Sequence, residues 1–282
     1  MAGPETLSYC AQQLRRHDPD RYLTGLFAPA ARREDLFALY AFNLELAKTA
    51  EVVSEPMLGQ IRLQWWRESL DRTYQGGPRQ HEMIPPLAEA VERHGLTRGH
   101  FERLIEGRAF DLEPDPPENI ARLTAYAEDS SSSLVLLALE VLGVSEAAAR
   151  EAGRQVGIAW ALVGVLRAVP FHARQQRLYL PQDRLEDAGV DLGYVYALKG
   201  SPELSRVVGE VAAVAKEHLS AARALRPQVP RRALPALLPG RLASRYLAQL
   251  ERAGHDPFHQ AVQSALPGRV WGLAWARLLG CY

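Results

Sequence analysis

Leu36-Phe-Ala-Leu-Tyr-Ala-Phe-Asn-Leu-Glu-Leu-Ala47 is the stretch on which the fold turns. Residues 36–42 are apolar without a break, too continuous for one stripe of a surface helix. A helix apolar on all sides has to lie inside the protein. The pattern predicts a buried helix over 33–50. Outward from it, the chain reads as one helix after another, with little of the alternation that marks strands. Residues 18–22 read as an entry turn. A helix over 56–74 carries Pro56 in its first turn and stops at Gly76-Gly77-Pro78. Further helices are expected over 86–94, ending at Gly95, and over 97–110 with Thr97 as cap.

Residues 113–117 (Glu-Pro-Asp-Pro-Pro) form a loop. A long helix over 120–142 ends at Gly143. Ser145 caps the next, which runs into 156–169 and is interrupted by Pro170. Residues 179–181 are extended. Helices over 203–225, 234–252 and 258–279 complete the chain. No repeat or low-complexity linker divides it. The expected architecture is all-α, a single-domain helical bundle over residues 1–282.

Composition narrows the function. The 282 residues carry 33 basic and 33 acidic side chains, so the net charge is zero and a strongly basic nucleic-acid binder is excluded. Cys10 and Cys281 lack metal-type spacing and read as free thiols. The start of the chain has neither the apolar stretch of a secretory signal nor the acid-poor character of a transit peptide. The longest uncharged apolar run, 156–166, is too short to cross roughly 30 Å of hydrocarbon. The expected location is the cytoplasm, with peripheral contact at the inner membrane as an addition.

Several blocks in order carry a resemblance. They are the 36–42 stretch, Trp66-Arg-Glu-Ser-Leu-Asp71, Leu104-Ile-Glu-Gly107 with Asp111-Leu112, Gly157-Ile-Ala159 with Leu166-Arg167, and Arg177-Leu-Tyr-Leu-Pro181 followed by Asp183 and Gly189-Val190. Together they resemble the squalene/phytoene synthases, head-to-head prenyl transferases with an all-α isoprenoid-synthase fold around a central cavity. The resemblance implies two Asp-x-x-x-Asp motifs that hold Mg²⁺ against prenyl diphosphates. Spacing of i, i+4 sets both carboxylates on one helix face, and Mg²⁺ requires such hard oxygen ligands. The metals would then stabilise the departing diphosphate.

Of these carboxylates one at most remains, Glu51. Counted from Tyr40, the first pair of positions falls on Ala47 and Glu51; counted back from Tyr179, the second falls on Ala168 and His172. The helix-borne amide positions fall on Ala161 and Gly164, and Pro170 threatens the placement of His172. Leu166-Arg-Ala-Val-Pro-Phe-His172, Tyr126-Ala-Glu-Asp-Ser-Ser-Ser-Ser-Leu134 and Gly254-His-Asp-Pro-Phe258 are similar to one branch of the family. That branch holds the mitochondrial assembly factor of respiratory complex I (NADH:ubiquinone oxidoreductase) and its bacterial relatives, and it lacks the aspartates. The resemblance therefore implies a non-catalytic role in complex I assembly through a partner subunit, with no cofactor. An active prenyl transferase using Mg²⁺, or a metal-free binder of a lipid or prenyl phosphate, are the alternatives.

Arg32, Arg33, Arg167, Arg174, Arg177 and Tyr40 stand where the family surrounds diphosphates, and form a candidate anion-binding pocket through guanidinium forks. Alternatively these arginines pair with acids or cap helix ends. The four serines at 130–133 lack a nucleophile elbow and read as small residues permitting close helix approach. His255 and His259 have metal-like spacing without an evident third ligand. Residues 221–250 carry six Arg and no acid, beside an apolar C-terminal segment. Such a pairing suits an anionic membrane surface, or else a core helix with an exposed basic loop. Trp65, Trp66, Trp160, Trp271 and Trp275 are expected in the core.

Overall fold

The computed structural model describes residues 7–77 and 81–282, so Pro78 of the expected stop lies outside the described residues. Among them there is no strand. Ser8 accepts from the Ala11 amide and opens α1 (Tyr9–His17), a helix that sequence patterning missed. The expected entry turn at 18–22 is a helix, α2 (Pro19–Gly25), because Asp18 accepts the Arg21 amide at 3.1 Å and Pro19 fits a first-turn position. Next come α3 (Ala30–Ala47) and the short α4 (Thr49–Val52), which divide the helix expected over 33–50. Every residue from Asp35 to Asn43 is buried, as the apolar run requires.

The segments α5 (Pro56–Gln75), α6 (Ile84–His94) and α7 (Arg98–Gly107) follow. Gly76 and Gly95 close the first two in the left-handed conformation, at φ 72° and 60°. A 3₁₀ turn at Phe110–Leu112 leads to α8 (Ile120–Ala127). The helix expected over 120–142 is helical along its length but changes its winding midway. A π-helical turn at Glu128–Ser132 separates α8 from α9 (Ser133–Val141). The Ser130 hydroxyl donates to the Tyr126 carbonyl, and that of Ser132 donates to the Arg154 carbonyl, each at 2.7 Å. A Cβ on Gly157 would stand 2.4 Å from the Ser132 backbone, and one on Gly107 would stand 3.1 Å from the Ser130 amide. Two glycines and small serines thus admit the widened turn between α7 and α10.

Glu146, not Ser145, precedes α10 (Ala147–Arg174). This helix runs through Pro170 instead of ending there. An interior proline costs about 3 kcal/mol. Burial of Val165, Leu166, Val169 and Pro170 offsets it, since a fully buried aliphatic side chain contributes about 1.5–3 kcal/mol. By length and composition α10 could cross a bilayer, but 61% of its most apolar window is buried inside the bundle. It packs on α9 and on the helices that follow.

The helices that follow are α11 (Gln182–Ala188), α12 (Leu192–Tyr196), α13 (Pro202–Ala224), α14 (Leu234–Arg252), α15 (Gln260–Gln263) and α16 (Arg269–Leu279), and of these α10 packs chiefly on α13 and α14. The helix expected over 258–279 is split where Pro267 and Gly268 intervene. Cys10 is buried and Cys281 half-buried, and both are free thiols; burial raises Cys10 to about 12.

A buried carboxylate joins the two ends of the fold. Asp20 on α2 accepts from the Tyr246 hydroxyl of α14 at 2.6 Å and from Arg269 of α16 at 2.9 Å. Arg167 of α10 lies 3.8 Å from Asp20 and stacks 3.6 Å over the Tyr246 ring.

Trp66 is core, and Trp65 and Trp160 are half-buried. Trp271 and Trp275 are the correction: they are 75% and 60% exposed. Helical periodicity does not distinguish a face turned to a core from one turned outward.

Candidate functional site

Ala47 and Glu51 lie one turn apart across the end of α3 and α4. Ala168 and His172 lie one turn apart on α10. All four border one cavity of about 230 Å³, and so do Ala161 and Gly164. Because α10 is unbroken at Pro170, His172 keeps its helical register with Ala168. The positions at which the resemblance implies cation-binding carboxylates are therefore gathered at one place, where Ala47, Glu51, Ala168 and His172 stand.

A second group of residues gives the cavity a polar lining. Asp111 is buried in the 3₁₀ turn after α7. It accepts from the Tyr126 hydroxyl at 2.7 Å and from Arg108 at 3.1 Å, and Arg108 also donates to the Tyr126 oxygen at 3.1 Å. The Tyr179 ring lies 4.5 Å from that of His172 and 5.8 Å from that of Tyr126. Burial, reinforced by the Asp111 charge, pushes both tyrosines far above their usual range. Burial also lowers His172 to about 4, so its imidazole is neutral near pH 7. Arg108 Nε, Ser131 Oγ and His172 Nδ1 are buried around the cavity without a protein hydrogen-bond partner.

Of the six residues expected to bind an anion, Arg177 borders the cavity. It donates to the Phe110 and Glu113 carbonyls and lies 5.1 Å over the Tyr179 ring. The other five have different surroundings. Arg32 donates to the Val141 carbonyl at the end of α9 and to His94. Arg33 donates to the Leu26 and Ala28 carbonyls. Both satisfy the carbonyls left open at the ends of helices or turns, which was the competing expectation. Arg167 belongs to the Asp20 cluster, Arg174 is exposed, and Tyr40 is core, pushed up to about 12 by burial.

Sequence reasoning missed Arg21 and Arg108, which do line the cavity. Arg21 pairs with Asp18 at 3.0 Å. The signals were present: Asp18 and Arg21 have i, i+3 spacing, and so do Arg108 and Asp111, a separation that brings side chains together on helical turns.

The carboxylates bordering the cavity are Glu51 and Asp111. Ala47 and Ala168 offer no ligand, and His172 offers nitrogen where Mg²⁺ prefers oxygen. Asp111 is already committed to Arg108 and Tyr126. Among the described residues no group of three or more His, Cys, Asp or Glu is arranged to hold a metal, including around His255 and His259. His259 instead accepts the Ala261 amide. The donor set does not fit the magnesium cluster that the resemblance implies.

Comparison with known proteins places this geometry. Residues 14–270 match the squalene/phytoene synthase family. The bovine protein named NADH dehydrogenase (ubiquinone) complex I, assembly factor 6 is 34% identical over 272 residues, covering 95% of this chain and 82% of its own. The human protein of that name is 33% identical over 272 residues, with the same coverage. Presqualene diphosphate synthase of Rhodopseudomonas palustris is 28% identical over 218 residues, covering 76% of this chain and 77% of its own. Among solved structures, a dehydrosqualene synthase superposes with a TM-score of 0.82 at 17% identity, covering 96% of this chain and 95% of the other. Squalene synthase HpnC from Alicyclobacillus acidocaldarius gives 0.77 at 21% identity, covering 88% and 94%. The isoprenoid-synthase fold is thus shared, and the chain belongs to the squalene/phytoene synthase family.

Proposed function

We propose that this chain is a non-catalytic member of its family that assists assembly of respiratory complex I by binding a partner subunit, without a metal cofactor. One observation carries the reading: Ala47, Glu51, Ala168 and His172 meet at one cavity and cannot together hold Mg²⁺. Without the cations, ionisation of an allylic diphosphate loses its main electrostatic assistance. The similarity to proteins named complex I assembly factor 6 supports the role. An apolar patch of Val52, Met57, Leu58 and Ile61 begins one residue after Glu51, is exposed, and offers a surface to a partner protein.

The decisive experiment has two arms. Incubation with Mg²⁺ and farnesyl or geranylgeranyl diphosphate is expected to release no pyrophosphate and no hydrocarbon; turnover would overturn the reading in favour of a working prenyl transferase. Deletion of the gene is expected to lower assembled complex I, with wild type restoring it and the double variant Met57→Asp, Ile61→Asp failing to do so at unchanged thermal midpoint. Normal complex I in the deletion strain would equally sink the proposal.

A second reading has its own support. Arg21, Arg108 and Arg177 border a cavity whose lining side chains include buried polar atoms without a protein partner and apolar walls. Metal-free binding of one anionic headgroup suits that lining. Calorimetric titration with a prenyl monophosphate tests it; flat heat and an unchanged midpoint remove it.

A further inference from the structure

We infer that α16 is an interfacial helix that seats this protein on an anionic lipid surface, with Trp271, Trp275 and Leu278 entering the bilayer face. The inference is independent of what the cavity binds. It starts from the packing of α16, which is held on one side only. Leu273 and Ala276 are buried against the bundle, chiefly on α14, and Arg269 is clamped to Asp20. At 100° per residue, Val270, Ala274, Leu278, Trp271, Trp275 and Leu279 occupy the remaining half of the helix surface. Of these, Trp271 is 75% exposed, Leu278 67% and Trp275 60%. The exposed arc is thus apolar throughout, with Arg277 at its edge. Tryptophan, part apolar and part hydrogen-bond donor, suits the headgroup boundary of a bilayer.

Charge identifies the occupant. Residues 257–282 hold no Asp or Glu side chain, and 221–250 hold none either. Arginines surround both ends of α16. Arg245 donates to the Pro267 and Gly268 carbonyls at its start, while Arg226 donates to Leu279 and Arg223 to Tyr282 at its end. Arg231 approaches Gly280. Among the described residues, Arg223, Arg226, Arg231, Arg245 and Arg277 form no ion pair with an aspartate or glutamate. Helix-bound apolar side chains within a ring of uncompensated guanidinium groups are complementary to anionic headgroups over acyl chains. The exposed patch on α4 and α5 lacks this character, because Glu51 and Glu55 flank it.

The test is sedimentation of the full chain with phosphatidylcholine vesicles, with and without about a third phosphatidylglycerol, together with quenching of tryptophan fluorescence by bromine-labelled lipid. Binding is expected to anionic vesicles, to weaken at high salt, and to fall at least about tenfold in Trp271→Ala, Trp275→Ala. The double variant is expected to keep its thermal midpoint, since neither ring is packed. A second variant, Arg226→Gln, Arg231→Gln, is expected to weaken binding to anionic vesicles alone. Equal binding to neutral vesicles would overturn the inference, as would no binding or binding that both variants retain. A dimer in analytical ultracentrifugation, abolished by the tryptophan substitutions without vesicle binding, would assign the face to a second copy instead.

Discussion

The cavity has two linings, and they have different character. The lining from α3, α4 and α10 is mostly small, with Ala47, Ala50, Ala161, Gly164 and Ala168 offering nothing to coordinate or protonate, and its titratable groups are Glu51 and His172. The lining from the end of α7, the 3₁₀ turn, α8 and the π-helical turn contributes Arg108, Asp111, Tyr126 and Ser130, three of them joined to one another. The difference teaches what each set is for in this chain. Arg108, Asp111 and Tyr126 satisfy one another, and the loss of Asp111 would leave a buried charge uncompensated. At the positions where the resemblance implies carboxylates facing only an external cation, Ala47 and Ala168 are small and apolar, while Glu51 and His172 keep a polar group.

The largest effect is therefore expected at the wired lining. Asp111→Ala leaves the buried Arg108 guanidinium and the Tyr126 hydroxyl without their acceptor. Breaking such a pair costs about 3–5 kcal/mol, a fall of about 10 °C in thermal midpoint. Ala161→Ser on the other lining is expected to change stability by less than about 0.5 kcal/mol. Equal effects in thermal unfolding would erase the contrast.

A smaller, conditional effect is expected when carboxylates are placed on the apolar lining. The triple variant Ala47→Asp, Ala168→Asp, His172→Asp brings like charges together with Glu51, so its midpoint falls in chelator. Millimolar Mg²⁺ is expected to return about 1–3 kcal/mol, while wild type shows no such response. Scanning fluorimetry with and without Mg²⁺ reads this directly, and an unresponsive variant would mean that these positions do not converge closely enough to share a cation.

The smallest effect concerns His172, which stands where the two linings meet. Burial depresses its pKa to about 4, against 6.5 for the free group. The native state therefore binds fewer protons than the unfolded state between those values, and stability declines as pH falls from about 6.5 towards 4. His100 and His218 are also lowered by burial and add to the decline. His172→Phe is expected to reduce the slope of stability against pH in that window without abolishing it. Urea unfolding at several pH values measures the change; an unaltered slope would mean that the imidazole is solvated.

How much of this was legible in the chain depends on what each residue reports. The helices around residues 36–42 and before Gly76, Gly95 and Gly143 follow from apolar continuity and from glycines that take up left-handed conformations. The convergence of residues 47, 51, 168 and 172 follows from two i, i+4 spacings and the resemblance. Other features depend on tertiary packing. Pro170 reads as a break, but burial on several sides outweighs its local penalty. The π-helical turn at Glu128–Ser132 depends on Gly107 and Gly157, both distant in sequence. Arg32 and Arg33 carry the charge an anion site would need, yet carbonyls at helix and turn ends engage them first. The apolar character of the C-terminal segment was legible, but not that Trp271 and Trp275 look outward.

The Asp20 cluster also has a consequence for how the molecule comes into being. Asp20 meets Tyr246 and Arg269, partners 226 and 249 residues further along the chain. During synthesis Arg167 is the earlier-made cation near its carboxylate, and the two hydrogen-bond donors arrive only when nearly the whole polypeptide has emerged. Closing so wide a separation is slow relative to local helix formation. The α2–α14–α16 corner is thus among the last parts to assemble, a latch that shuts on a bundle already built.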